Sequence, residues 1–114
     1  MYGENGRICI NRSTRASLNI GNTKLSVVSK PCDTILMAES DGNSPTAGAA
    51  QSNVTGQYAV GRHNGRGIFA MCDGSGRSVR TNEFIRTTSE SNDAKTEWAV
   101  QRKIYWYPTD STPN

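Results

Sequence analysis

Arg62–Arg80 reads RHNGRGIFAMCDGSGRSVR. Its centre, Ile68-Phe69-Ala70-Met71-Cys72, is a short apolar run. Asn64-Gly65 stands before it and Asp73-Gly74-Ser75-Gly76 after it. Asn-Gly and Asp-Gly tolerate the positive φ that tight hairpins need. A β-prone run between two such turn formers predicts turn, strand, turn, strand. Asp73 is expected to accept backbone N–H two residues on, as an Asx-turn does, and Gly74 to supply the positive φ.

Working outward, Lys24–Ser40 reads KLSVVSKPCDTILMAES. Lys24–Ser29 is read as a strand. Pro31 pushes Lys30 into an extended or turn conformation. Thr34–Glu39 is the next strand, with an apolar run continuous enough to be covered on both faces. Arg7–Ile10 is read as a short strand and Asn11–Asn22 as loop. Ser40–Gly56 is small and polar, a long loop of the kind that often carries function. Gln57–Gly61 is a short strand. Thr81–Thr88 is a short strand or a turn of helix, and Ser89–Lys95 a polar loop. Glu97–Tyr107, EWAVQRKIYWY, is rich in aromatic and β-branched residues and reads as a strand ended by Pro108. The expected fold class is mostly β: one domain with an antiparallel sheet of about six or seven short strands and long polar loops.

Two of these segments carry a family resemblance. His63, nine intervening residues, then Asp73-Gly74 resembles the signature of the H-x9-D-G prepilin-type family of pilin-like and pseudopilin-like proteins. The Pro31 turn, the apolar run Ile35-Leu36-Met37-Ala38 and the acidic end at Glu39 are similar to the segment preceding that motif. The resemblance implies a non-enzymatic headpiece, exported to the cell envelope or the extracellular space. Its partners would be other pilin-like subunits or a type II secretion-like or type IV pilus-like machinery. It implies a basic leader and a long apolar helix ahead of the headpiece, with membrane contact only through that helix, which this chain lacks. Within the chain the longest strictly apolar run is Ile68–Cys72, far short of the ~20 residues that cross a bilayer. The opening MYGENGRI has no basic-then-apolar pattern of a signal peptide.

Composition narrows the remaining chemistry. The 114 residues carry a net charge of +3 and are 34% hydrophobic, so a thin core is expected but not disorder. The Arg-rich hairpin lacks any RNP-type motif, and no nucleic-acid partner is expected. His63 is the single histidine. Cys9, Cys32 and Cys72 form no paired zinc spacing with it, so neither metal nor cofactor is expected. Asp73-Gly74-Ser75 and Asp41-Gly42-Asn43 are oxygen-rich turns whose ordinary role is turn chemistry, with calcium as the alternative. A His63–Cys72 nucleophile pair is the enzymatic alternative, disfavoured because an apolar setting raises a thiol's pKa. An odd cysteine count leaves one thiol over, with a Cys9–Cys32 bridge as one pairing in an oxidising compartment. The motif residues His63, Asp73 and Gly74 are thus expected as structural or interaction points. The alternative function is a polysaccharide-binding module that uses the 40–56 loop and stacks sugars on Trp98, Trp106 and Tyr107.

Overall fold

The computed structural model describes residues 2–8, 24–39, 53–57, 59–61 and 64–112. Its strands are β1 (Tyr2–Asn5), β2 (Ile35–Glu39), β3 (Asn53–Val54), β4 (Arg66–Met71) and β5 (Gly76–Arg80). Three short helices follow: α1 (Thr81–Phe84), α2 (Thr88–Ser91) and α3 (Ala94–Trp98). The sheet order is β3-β1-β2-β4-β5. β1, β2, β4 and β5 are antiparallel neighbours, and the two-residue β3 lies parallel to β1 at one edge.

The hairpin forms where its turn chemistry puts it. β4 and β5 pair from Arg66↔Arg80 to Ala70↔Gly76. Asn64 (φ 54) and Gly65 (φ 74) lead in, and Gly74 (φ 90) closes the tip. Successive strand residues face opposite sides, so Gly67, Phe69, Met71 and Val79 are buried while Ile68 and Ser78 are exposed. Gly67 is required here, because a Cβ would stand 2.8 Å from Phe69 Cζ and 3.0 Å from Phe84 Cε1.

The inner face carries the core. Ile35, Ala38, Val54, Phe69, Met71 and Val79 of the sheet meet Phe84, Ile104 and Trp106. Phe69 packs edge-on against Phe84, with centroids 4.9 Å apart, and against Trp106 at 6.3 Å. Each such aromatic pair contributes about 0.5–1.5 kcal/mol beyond the area it buries. β2 does not meet the expectation of two covered faces: Leu36 and Met37 are exposed beside Ile68, and a register shift falls between Ile35 and Met37.

The other differences from expectation have local causes. The sheet has five strands among the described residues, not six or seven. Leu25–Val27 is a single 3-10 turn rather than a strand, with Val28 N–H donating to Leu25 O at 3.1 Å. The first strand lies earlier than Arg7–Ile10. Arg7 and Ile8 are in a turn, because the buried Asn5 side chain accepts from Arg7 N at 2.9 Å and ends the ladder. Within Gln57–Gly61 the described residues hold only an isolated bridge at Ala59. Ser89–Lys95 is helical except at Asn92 and Asp93, rather than loop: Thr87 and Glu90 form a reciprocal capping box at α2, and the Asp93 carboxylate caps α3. Glu97–Tyr107 is not a strand. Its start is the end of α3, and beyond that only Tyr105 makes a bridge, parallel to Thr34. No helix among the described residues is long and apolar enough to cross a membrane.

Candidate functional site

The two segments singled out in the sequence meet at one corner. The Asp73 carboxylate accepts from Ser75 N at 2.9 Å and from the Ser75 hydroxyl at 2.6 Å. Gly74 N donates to Met71 O at 2.9 Å, and Met71 N to Ser75 O at 2.8 Å. This is the anticipated Asx-turn. The Ser75 donors hold the Asp73 carboxyl below the usual carboxylate range, because hydrogen bonds to the ionised form favour it.

Across from this tip, Lys30–Asp33 closes a second turn, with Asp33 N donating to Lys30 O at 3.0 Å. Thr34 Oγ1 donates to the same carbonyl at 2.8 Å. Two backbone bonds join the turns: Cys72 N to Thr34 O at 2.8 Å and Asp73 N to Pro31 O at 3.2 Å. A third strand of chain locks on from outside the sheet. Tyr105 N donates to Asp33 O at 2.8 Å, and Ile35 N to Tyr105 O at 3.0 Å. Arg77 Nη1 reaches both Asp33 Oδ1 and Lys103 O at 2.9 Å. Lys30 Nζ lies 5.4 Å from the Tyr105 ring centroid and 5.8 Å from that of Trp98.

The sequence-derived candidates separate clearly. Asp73 and Gly74 are exposed at the tip. His63 lies outside the described residues, as do Arg62, Cys9, residues 40–52 and the Asp41-Gly42-Asn43 turn. Trp106 and Tyr107, expected as stacking surfaces, are instead core residues exposed to 1% and 0%. Their rings are needed inside because the thin sheet supplies too few large apolar side chains of its own. Trp98 is half-buried and stacked on Tyr105 at 3.9 Å and 11°. Cys72 is half-buried, and burial followed by the nearby Asp73 charge pushes its thiol up, which makes it a weak nucleophile at neutral pH. No group of three or more His, Cys, Asp and Glu among the described residues is placed to hold a metal.

The shallow depression beside β5 is lined by Arg66, Arg77, Ser78, Glu83, Arg102 and Lys103, among others. Its charges are engaged within the fold. Lys103 pairs with Glu83 at 2.9 Å, Arg102 with Glu90 at 3.2 Å and Arg77 with Asp33 at 2.9 Å. Arg66 donates to the Ser78 hydroxyl and carbonyl at 2.8 and 3.0 Å.

Sequence reading missed the buried polar residues. Glu97 is fully buried and pairs with Arg86 Nε at 2.9 Å. Its two oxygens accept from Trp106 N at 2.9 Å and Tyr107 N at 2.8 Å. Arg86 also donates to the carbonyls of Glu83, Ile85 and Ile104. Arg7, 3% exposed, donates to Ser91 O and to Asn92 Oδ1, and its guanidinium lies 5.1 Å from the Tyr107 ring centroid. Asn5 Nδ2 bridges Ile35 O at 2.7 Å and Trp106 O at 2.6 Å. These side chains fasten the C-terminal segment to the rest of the fold. The one available signal was the proximity of charged residues to the aromatic cluster, which surface charges share.

Comparison of the chain with protein-family models, with curated proteins and with solved structures returned no match.

Proposed function

We propose that this chain is the headpiece of a pilin-like or pseudopilin-like subunit, exported and acting without catalysis through packing in a type IV pilus-like or type II secretion-like assembly. The observation that carries the reading is the joined corner. Asp73-Gly74 and the Pro31 turn are the two segments in which the chain resembles the H-x9-D-G prepilin-type proteins, and they bond each other through backbone groups. The Asp73 carboxylate is committed to its own turn, which suits a scaffold rather than a reacting group. The polysaccharide alternative rests on less. Of its three aromatic residues only Trp98 reaches the surface, and one face of that ring is taken by Tyr105.

The test is the native gene in its own cell. A basic leader and a long apolar helix should be encoded ahead of Tyr2. In-cell cross-linking followed by envelope fractionation should then recover the subunit bound to other pilin-like or secretion-machinery subunits. Recovery of the native product as a free cytosolic monomer would overturn the reading. Binding to a polysaccharide array that disappears on Trp98→Ala, without subunit cross-links, would favour the alternative.

A further inference from the structure

The same corner holds two cysteines, one in each of the joined turns. Cys32 stands in the Lys30–Asp33 turn and is exposed, while Cys72 follows β4 and is half-buried; both are free. The bond from Asp73 N to Pro31 O, 3.2 Å long, runs from the peptide linking Cys72 to Asp73 to the peptide linking Pro31 to Cys32. The two cysteines therefore flank a single backbone hydrogen bond. Both cysteines lie in turns; Thr34 is the residue directly opposite Cys72, and Cys32 stands two residues before it in the turn that folds back to the Asp73 N–H. Disulfides span Cα separations of about 4.4–6.8 Å. The neighbouring bond from Cys72 N to Thr34 O holds the turns in this relation.

We propose that Cys32 and Cys72 close an intramolecular disulfide that staples the hairpin tip to the Pro31 turn when the protein meets a disulfide pool. The exposed Cys32 thiolate attacks one sulfur of a low-molecular-weight disulfide such as oxidised glutathione and releases one glutathione thiolate. Cys72 gives its proton to water, and its sulfur attacks the Cys32 sulfur of the mixed disulfide, releasing the second glutathione. Two protein thiols are oxidised and one glutathione disulfide is reduced to two thiols. Burial and the Asp73 charge push the Cys72 thiol up, so closure is the slow step near neutrality and quickens as the solution is made more alkaline. The link closes about 40 residues of chain and restricts mainly the unfolded state.

The experiment uses the full chain, reduced and then incubated with oxidised glutathione under mildly alkaline conditions. Free thiols are alkylated, and the digest is read by mass spectrometry. The expected product has lost two hydrogens, contains a Cys32–Cys72 cross-linked peptide and carries the alkyl label on Cys9. Its Tm rises by about 10 °C and falls back with dithiothreitol. Cys9→Ser keeps the gain, and Cys32→Ser and Cys72→Ser each abolish it. A persistent glutathione adduct on Cys32, a link through Cys9, or loss of the gain in Cys9→Ser would overturn the proposal.

Discussion

Asp73 has one measurable duty, and its protonation state sets it. The carboxylate takes two hydrogen bonds from Ser75, and its pKa is lowered in the folded protein chiefly by the Ser75 hydroxyl. A lowered folded value means the stabilisation is complete above the unfolded pKa of about 4 and fades as pH falls through the folded value. Asp73→Ala should lower Tm by a few degrees at neutral pH, and the deficit should shrink as the solution is acidified below the unfolded pKa. Asp73→Asn keeps an acceptor oxygen and should lose less. Thermal melts of the three proteins across pH check this, and equal melting temperatures at neutral pH would remove the turn-capping role. This Asx-turn was legible in the sequence because an Asp-Gly-Ser turn is decided by atoms within three residues of one another.

At the scale of elements, the C-terminal segment depends on α3 for its attachment. Glu97 is the last acidic residue of that helix, and it binds Arg86 and the N–H groups of Trp106 and Tyr107 at once. Removing it leaves a guanidinium in the core without its counter-charge, a loss of about 3–5 kcal/mol for buried pairs. Urea denaturation of Glu97→Ala should therefore show a large fall in midpoint, and Glu97→Gln a smaller one. Many buried pairs can be exchanged for apolar residues at little loss. Here the double variant Arg86→Met/Glu97→Leu should stay destabilised. It orphans the buried N–H groups of Trp106 and Tyr107 and the buried carbonyl of Ile104, each costing about 1–3 kcal/mol. A double variant as stable as the parent would show that those groups find other partners. The helices themselves had local signals that the polar, loop-like composition of Ser89–Lys95 outweighed: Thr87-x-x-Glu90 is a capping box and Asp93 an N-cap.

Across the whole molecule, the ionised carboxylates at the periphery shape the acid limb of stability. Asp73, Glu83, Glu90 and Asp93 all have lowered pKa values, each chiefly from a hydrogen bond: from Ser75, Lys103, the Thr87 backbone and Thr96 respectively. All four sit near the surface, so each contribution is modest. Together they predict a Tm that is level from neutral pH down to the unfolded carboxylate range of about 4 and declines on further acidification. A Tm that rose on acidification through that window would contradict the sign.

The hairpin, its two turns and the strand Ile35–Glu39 were determined by the sequence alone, since φ tolerance and two-residue alternation act within a few positions. So was the turn at Pro31. Tertiary structure decided the rest. Glu97–Trp98 ends a helix, Trp106 and Tyr107 fill the core, and Arg7, Arg86 and Glu97 are buried among them. Asn5 reaches Trp106 O across 101 positions. A charged residue enters a core only where distant chain supplies its partners, and an aromatic segment leaves a sheet only where distant chain gives its rings a place to pack. Neither condition is written near the residue it governs.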